Sequence, residues 1–457
     1  MIDQNRVMKD KSIHQPLQIF CGQGGSAQFS IPDTTPATVG LVTVNGREGC
    51  KAQVKIKFSS VVNLTSTDDD SQTLLTFNLF RVCDQGEALL LDTWTYEASL
   101  IENAFEIIGL TKSFSFIYCD YLNYSKVCEY FVSVSADNIV NATVSIDNVQ
   151  IQAITHDTLL FCGEGTSASF NGNNQTQPII PTPSSASLGQ VTVNTKGLSK
   201  PVVEVEFSSI VNLLAGDDDA KASLNFMLFR DCGDEEPVLV NNWIYEVFLI
   251  EDFLDIRLST SYNFIFCERL SNAECCDYFV EVSVGGLDEI NTISITDVHI
   301  AALVGESEKT EESTLLACGQ SMNANFVNLD IPPIPVGRVK IDTNNLYKPV
   351  VSIEFSSIVS YLATEDDAQG RLKFELFRVC DNGKPVLLNN WAFEAKRIDN
   401  AFENTRWIDA YEFNFCDDAD CSGCCEYFVQ VSIENLLTAN LMIDNVQISA
   451  LVGDHVY

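Results

Sequence analysis

Histidine and basic residues are scarce in this sequence. It has four histidines in 457 residues, and its 63 acidic residues outnumber 27 basic ones. The histidines (His14, His156, His299 and His455) do not recur at equivalent positions of the repeats described below. The net charge of -36 disfavours binding to nucleic acid or to anionic membranes. No Gly-x-Ser-x-Gly elbow, P-loop or His-Glu-x-x-His motif occurs in the sequence. We therefore expect a protein that is not an enzyme and that has no cofactor, nucleic-acid partner or membrane partner.

Long apolar runs are also missing. No stretch is apolar enough and long enough to suggest a membrane span, and the first residues lack the apolar core of a secretory signal. The 16 cysteines nevertheless predict an oxidising destination. Three explanations stay open: the thiols bind metal, a leader has been removed, or the protein meets oxidant after its cell lyses.

What the sequence does contain is a repeat. The blocks FSSVVNL, FSSIVNL and FSSIVSY begin at Phe58, Phe207 and Phe355, and each repeat opens with Cys-Gly. The period of about 150 residues suits one domain per repeat. We predict an N-terminal arm at residues 1–16, domains at 17–157, 158–304 and 314–457, and an acidic linker at 305–313.

Hydrophobicity alternates with a period of two. In VEVEFSS, Val203, Val205 and Phe207 alternate with Glu204 and Glu206, and VKIKFSS repeats the pattern in the first repeat. Such alternation indicates antiparallel strands with one buried face and one solvent face. The predicted fold is all-β, with three tandem antiparallel β-sandwich domains of jelly-roll type and a short N-terminal arm.

Cysteines recur at four positions of each repeat. Twelve are candidates for disulfides: Cys21, Cys83, Cys119, Cys128, Cys162, Cys232, Cys267, Cys276, Cys318, Cys380, Cys416 and Cys425. Cys119 and Cys128 flank a short connection between two expected strands, so a bridge across that hairpin is predicted in each repeat. Other connectivities and buried free thiols remain alternatives.

Four further cysteines are not shared by all three repeats. Cys50, Cys275, Cys421 and Cys424 are candidates for links between domains or between chains. Cys421 and Cys424 have the spacing of a zinc knuckle, but the other repeats lack this pair, so we predict no metal site. A redox role would need a thioredoxin-like βαβ setting, which the pattern does not favour.

Three other recurring groups have a structural and a functional interpretation. Acidic triplets at Asp68–Asp70, Asp217–Asp219 and Glu365–Asp367 suit solvated loops, with Ca²⁺ binding as an alternative. Tryptophan recurs with a glutamate three positions later, as a core anchor or as part of a glycosidase site. These pairs are Trp94 and Glu97, Trp243 and Glu246, and Trp391 and Glu394. Arginine recurs as Arg81, Arg230 and Arg378, where we expect structural ion pairs.

The repeated blocks resemble a family of clostridial proteins whose domain has no assigned function. The blocks that carry this resemblance are CGQG, PVVEVEFSSIV, FELFRVCDNG, NNWAFEA, FNFCD, CCEYFVQVS and DNVQISALV, and they cover nearly all of the chain from Leu17 onward. The set-up is also similar to the endospore appendage subunits of bacilli, which combine a cysteine-bearing jelly roll with an N-terminal arm. Those subunits carry cysteines in the arm, whereas residues 1–16 contain none.

The second resemblance implies self-assembly into a fibre. An arm would dock into a neighbouring copy, with Ile2, Val7, Met8 and Ile13 as its apolar contacts. We thus predict a structural subunit of an extracellular or spore-surface fibre, made without a classical signal peptide and stabilised by disulfides. Its partners would be copies of itself, with other surface proteins as further candidates. The alternative is a carbohydrate- or surface-binding adhesin, with exposed tryptophans and Ca²⁺-binding loops.

Overall fold

Over the residues described, the computed structural model contains thirty strands and no helix. No helix in this part of the chain is therefore long and apolar enough to cross a membrane. The structure describes residues 17–32, 35–45, 51–66, 68, 71–102, 107–123, 127–156, 159–172, 185–198, 200–215, 220–233, 236–248, 253–271, 275–306, 315–343, 349–365, 367–381, 383–398, 406–418 and 423–454.

Each repeat contributes ten strands. Those of repeat 1 are β1 (Gln18–Cys21), β2 (Gln23–Gly24), β3 (Ala27–Phe29), β4 (Ala37–Asn45), β5 (Lys51–Ser66), β6 (Ser71–Cys83), β7 (Leu89–Glu102), β8 (Ile107–Asn123), β9 (Val127–Val140) and β10 (Ala142–His156). Those of repeat 2 are β11 (Leu160–Cys162), β12 (Glu164–Gly165), β13 (Ala168–Asn171), β14 (Ser185–Asn194), β15 (Pro201–Ala215), β16 (Lys221–Asp231), β17 (Val238–Phe248), β18 (Phe253–Arg269), β19 (Cys275–Asp288) and β20 (Ile290–Glu306). Those of repeat 3 are β21 (Leu315–Cys318), β22 (Gln320–Ser321), β23 (Ala324–Phe326), β24 (Ile334–Asp342), β25 (Pro349–Ala363), β26 (Gln369–Cys380), β27 (Val386–Ile398), β28 (Arg406–Asp418), β29 (Cys424–Leu437) and β30 (Ala439–Asp454).

Two antiparallel sheets form each repeat. In repeat 1, β1 and β3 pair with β10, which pairs with β5, which pairs with β8; we call this the axial sheet. The outer sheet has the order β2, β4, β9, β6, β7. The other repeats follow the same order. The predicted all-β sandwich is confirmed, and the jelly roll stays a prediction that this strand order favours.

The space between the two sheets holds the expected aromatic core. Trp94 is 1% exposed and stacks on Phe116, with ring centroids 3.7 Å apart. The same stack recurs in repeats 2 and 3, as Trp243 on Phe264 and Trp391 on Phe413. These tryptophans anchor the core of each sandwich.

The three sandwiches close into a ring through their strand edges. β7 of repeat 1 pairs with β18 of repeat 2, β17 of repeat 2 pairs with β28 of repeat 3, and β27 of repeat 3 pairs with β8 of repeat 1. Each junction therefore joins the outer sheet of one repeat to the axial sheet of the next. Edge strands that would otherwise expose unpaired backbone groups are satisfied within the chain.

A β-bulge in the last long strand of each repeat coincides with the recurring block around DNVQ. The bulge residues Asn148, Asp297 and Asn445 have positive φ angles of 50°, 50° and 48°, a conformation that Asn and Asp tolerate better than most residues. The side-chain amides of Asn148 and Asn445 donate to the backbone carbonyls of Asn390 and Asn242, each in another repeat. In repeats 1 and 3 the bulge thus carries a contact with another repeat.

The polar face of the central strand does not lie in solvent, so this part of the sequence interpretation is wrong. Lys55, Lys57, Glu204 and Glu206 are each at most 2% exposed. They point away from their own sandwich, yet the axial sheets of all three repeats meet there. We call the line along which these sheets meet the axis.

Candidate functional site

The axis is built from equivalent residues of β5, β15 and β25. Because the FSS blocks align, Lys57, Glu206 and Glu354 form one layer, and Lys55, Glu204 and Ser352 form the next. All six residues are buried. One layer therefore combines a lysine with two glutamates, and the next combines three different side chains.

A layer of identical serines lies beside the charged ones. Ser59, Ser208 and Ser356 are the first serines of the FSS blocks, and each hydroxyl accepts a hydrogen bond from a backbone N–H of another repeat. The donors are Asn414, Ile117 and Ile265, and the distances are 3.3, 3.3 and 3.2 Å in that order. The recurring serine is thus a contact between repeats, and this gives the FSS block a structural role.

Lysine side chains from repeat 1 bridge the other two repeats. The Nζ of Lys57 lies 2.5 Å from Glu354 Oε2, 2.5 Å from Glu412 Oε1 and 3.3 Å from Glu206 Oε2. The Nζ of Lys55 contacts Glu206 Oε1 directly and lies 3.7 Å from Glu354 Oε1. Breaking such a buried pair from one side leaves an uncompensated charge, so the network fixes the order of repeats around the axis.

The two lysines differ in their electrostatics. Burial disfavours the charged form of Lys57, but the carboxylates of Glu354 and Glu412 outweigh burial and raise its pKa. At Lys55 burial dominates and lowers the pKa. Burial and then the charge of Glu354 raise the pKa of Glu204 from 4.5 to about 7. Glu204 is therefore the carboxyl group of the axis that can change its protonation state near neutral pH.

Three carboxylates of the axis have the spacing of a cation site. Oxygen atoms of Glu204, Glu206 and Glu354 all lie within 4.8 Å of one another, a spacing that an oxygen-ligated cation would fit. The ammonium group of Lys55 contacts Glu206 within this cluster. The side chain of Lys55 thus reaches into this cluster, and we do not assign a metal to it.

Some polar groups around the axis lack hydrogen-bond partners. Both carboxylate oxygens of Glu204, both amide atoms of Asn414 and the hydroxyl of Ser449 are buried without a partner of normal geometry. The Ser449 hydroxyl is still close enough to lower the pKa of Glu204 slightly, against the larger effect of burial. Buried unpartnered polar atoms are uncommon, so they mark this region for a functional or chemical role.

The twelve recurring cysteines form six disulfides of two kinds. Three lie within a repeat: Cys83–Cys128, Cys232–Cys276 and Cys380–Cys425. Three join neighbouring repeats: Cys21–Cys416, Cys119–Cys162 and Cys267–Cys318. Because one of these joins repeat 3 back to repeat 1, the ring is closed covalently.

The predicted hairpin bridge between Cys119 and Cys128 is wrong. Cys119 lies on β8 in the axial sheet, whereas Cys128 lies on β9 in the outer sheet. The two consecutive strands do not form a hairpin. Cys128 instead faces Cys83 directly across β6 and β9, with Cα atoms 4.1 Å apart.

Recurring cysteines form three links between repeats, and the unshared Cys275 and Cys424 form none. Cys275 and Cys424 are free and exposed, at equivalent positions of β19 and β29. Cys50 and Cys421 lie outside the described residues, as do the arm residues Ile2, Val7, Met8 and Ile13. Six disulfides indicate an oxidising environment.

The other recurring groups have structural partners. Arg81 pairs with Asp120 at 2.6 Å, and the hydroxyl of Tyr130 donates to the same carboxylate at 2.8 Å. The equivalent groups are Arg230, Glu268 and Tyr278 in repeat 2, and Arg378, Asp417 and Tyr427 in repeat 3. The structural interpretation of these arginines is therefore supported. Of the acidic triplets, only Asp68, Glu365 and Asp367 lie in the described part of the chain.

Two of the four histidines are described. His299 Nε2 lies 3.0 Å from Asp92 Oδ2 across the junction of repeats 2 and 1. His156 is buried, and its Nδ1 accepts from the backbone N–H of Leu159. Both therefore lie where repeats 1 and 2 meet, while His14 and His455 fall outside the described residues.

A cavity of about 310 Å³ opens beside the disulfide that closes the ring. Its lining includes Cys21, Gln23, Leu41, Val350 and Asp418, from repeats 1 and 3. Its cysteine is bonded, and Asp418 is the one titratable group of its described lining.

Comparison with known proteins identifies the repeat and leaves its activity open. The family described as a domain of unknown function (DUF4489) matches the chain three times, over residues 17–156, 156–305 and 312–453. No curated protein matches.

Two solved structures show limited similarity. The tandem CBM22-1–CBM22-2 domain of Paenibacillus barcinonensis Xyn10C is 11% identical, with 62% of this chain and 93% of that chain covered and a TM-score of 0.16. A secreted protein of Parabacteroides distasonis ATCC 8503, described as putative, is 8% identical, with 62% and 88% covered and a TM-score of 0.13. Scores this low do not inform the fold or the function of this chain.

Proposed function

The chain belongs to the DUF4489 family, with three copies of the family's domain, and from its covalently closed ring we propose that it is a structural, self-assembling subunit of an extracellular or spore-surface fibre or appendage. Ring closure is the observation that carries this proposal: three strand pairings and three disulfides join the repeats in a cycle. A module locked in this way resists unfolding in an oxidising environment, which suits a permanent external structure.

The buried location of the charged cluster supports a structural role over an enzymatic one. Lys55, Lys57, Glu204 and Glu354 are each at most 2% exposed, so a substrate has no direct access to them. Residues that catalyse a reaction on an external substrate must reach it. We therefore propose that the protein is not an enzyme and needs no cofactor for its role.

Exposed thiols provide a route to links between copies. Cys275 and Cys424 are exposed in repeats 2 and 3, and each directly precedes a buried cysteine that forms a disulfide. The equivalent residue in repeat 1 is Val127, which is 50% exposed. Oxidation would join these thiols to those of neighbouring copies.

Exposed apolar pairs support contact between rings. Strands β7, β17 and β27 each begin with two apolar residues that are 46–52% exposed: Leu89, Leu90, Val238, Leu239, Val386 and Leu387. Apolar residues that recur around a ring offer neighbouring copies equivalent contact surfaces. We assign these pairs to lateral contacts in the fibre.

The experiment is assembly under controlled oxidation. Purified protein is incubated at high concentration with and without a mild oxidant, then examined by non-reducing gel electrophoresis and electron microscopy. We expect disulfide-linked polymers that dissociate on reduction and that the double variant Cys275→Ser/Cys424→Ser does not form. Ser283→Ala, on the same strand as Cys275, is the matched control and should polymerise normally. Monodisperse monomers under every condition would overturn the proposal.

The arm at residues 1–16 remains the proposed docking element between copies. Deletion of these residues should leave the three sandwiches folded and stop polymer growth. If the truncated chain assembles at the rate of the full chain, the arm has no part in assembly. The exposed thiols and apolar pairs would then be the proposed contacts between copies.

The adhesin alternative now rests on different aromatic residues. Trp94, Trp243 and Trp391 are each 1% exposed, so they are not the exposed platforms that this alternative expected. Phe80 and Phe131 instead stack at 5.1 Å on the solvent side of the outer sheet, and the pair recurs in the other two repeats. A glycan array with wild type and Phe80→Ala would test this alternative, and a binding signal lost in the variant would favour it.

A further inference from the structure

Lys55 and Glu206 place an amine and a carboxyl group in direct contact between two repeats. The Nζ of Lys55 on β5 contacts Oε1 of Glu206 on β15, and their side chains are 0% and 3% exposed. Two reactive groups held together in this way have a large effective concentration, because their encounter needs no diffusion. The contact lies on the axis, so bulk water is excluded from it.

Burial favours the uncharged forms of this pair. In a medium of low dielectric constant, the ammonium and the carboxylate are both disfavoured, and transfer of a proton between them gives an amine and a carboxylic acid. Burial lowers the pKa of Lys55, which favours the nucleophilic amine. Lys57, two residues away, has its pKa raised by Glu354 and Glu412 in spite of its burial, and so stays an ammonium ion.

A third group beside the pair can move protons. Oxygen atoms of Glu204 and Glu206 lie within 4.8 Å of each other, and the oxygens of Glu204 have no hydrogen-bond partner of normal geometry. Burial raises the pKa of Glu204 to about 7, which is the range in which a carboxyl group both accepts and donates a proton. Glu204 can thus accept a proton from, and donate a proton to, the groups of Lys55 and Glu206.

We propose that Lys55 and Glu206 form an isopeptide bond that joins repeat 1 to repeat 2, with Glu204 as the proton-transfer group. The lone pair of Nζ attacks Cδ of the Glu206 carboxylic acid, and the Nζ–Cδ bond forms. Glu204 takes a proton from the nitrogen and delivers a proton to the departing hydroxyl. The Cδ–O bond breaks and water leaves, so the products are a secondary amide and one water molecule.

Two features favour the amide in this location. The amide leaves one neutral group where an amine and a carboxyl group that can ionise were buried, so no charge has to be desolvated there. The released water passes to bulk solvent, and the buried bond is then protected from hydrolysis. Unlike the six disulfides, this link would survive complete reduction, which gives it a distinct readout.

The test is the intact mass of the protein after denaturation, full reduction and alkylation of thiols. We expect a mass lower than that of the sequence by one water, and protease digestion should give a branched peptide that joins Lys55 to Glu206. A mass equal to that of the open sequence, with Lys55 free to react with an amine-labelling reagent, would overturn the proposal. Loss of water that maps to any other residues would overturn it as well.

Three variants separate chemistry from folding. Lys55→Arg keeps the charge but removes the nucleophile, so its mass should equal that of the open chain. Lys373→Arg, at a lysine that pairs with Glu375 away from the axis, is the control and should keep the cross-link. Glu204→Gln should form the bond on the order of 100-fold more slowly in freshly folded protein. Bond formation at the wild-type rate in Glu204→Gln would show that Glu204 is not the proton-transfer group. Because the mass of the wild-type protein decides the main question, failure of a variant to fold leaves the test intact.

Discussion

The cores of the three sandwiches repeat the same residues, whereas the axis between them combines different residues from the repeats. Inside the sandwiches, the tryptophan rings stack at 3.7, 3.7 and 3.8 Å, so the three repeats are almost interchangeable there. On the axis, equivalent positions carry Lys57, Glu206 and Glu354. A repeated core needs only to fold, whereas residues that meet across an axis must complement one another. Three buried lysines or three buried glutamates in one layer would repel, so the charged layers require the copies to differ.

The largest expected effect tests the equivalence of the cores. Substitution of Trp94, Trp243 or Trp391 by alanine should each lower the free energy of unfolding by roughly 3–5 kcal/mol, because each leaves a cavity of the same shape. Chemical denaturation of the three variants measures this effect. A spread as large as the mean would contradict the equivalence.

Loss of a lysine on the axis should lower the free energy of unfolding more than loss of a lysine near the surface. Lys57→Met removes the cation that contacts Glu354, Glu412 and Glu206, and should lower the free energy of unfolding by about 3 kcal/mol. Lys373→Met removes a partly exposed pair with Glu375 and is the matched control, with an expected effect of about 1 kcal/mol or less. Equal losses in the two variants would mean that the axis is no more sensitive than the surface.

Removal of a disulfide between repeats should affect the junctions of the ring, whereas removal of one within a repeat should not. Cys21→Ser/Cys416→Ser opens the ring, and we expect a loss of about 2–4 kcal/mol, since the unfolded chain regains conformational freedom. Cys83→Ser/Cys128→Ser, within one repeat, should cost a similar amount but leave the junctions between repeats protected. Hydrogen exchange at β8 and β27 distinguishes the two, because only the open ring should exchange faster there.

The effect that is smallest per pH unit concerns Glu204. Its folded pKa is raised from 4.5 to about 7, so between these values the folded state binds more protons than the unfolded state. Stability should therefore fall as pH rises through this window, by about 1 kcal/mol per pH unit at most, and level off above it. Glu204→Gln should flatten the profile, whereas Asp330→Asn, at an exposed position, should not change it. A profile of Glu204→Gln with the wild-type slope would contradict this assignment.

Local pattern was enough to predict the sandwiches, and the ring required information that local pattern lacks. Val203, Val205 and Phe207 alternate with glutamates, which predicts a strand with one buried face whatever the rest of the chain does. The burial of Glu204 and Glu206 depends on repeats far away in sequence, and so does the partner of Cys21, 395 residues later. One signal was available: the FSS serines recur while the charged residues before them differ. Identical residues next to complementary ones are what a shared axis between non-identical copies produces.

The closing disulfide also determines how the molecule would respond to tension. The first and last described strands lie side by side, with Gln18 paired to Asp454, and Cys21 is bonded to Cys416. A pulling force applied through residues 18 and 454 would pass from one end to the other through this sulfur bridge. The 395-residue span between the two cysteines would be bypassed and would bear no load. Under tension, only residues 18–21 and 416–454 would bear the load, and the chain between the two cysteines would be pulled only after the bridge is reduced.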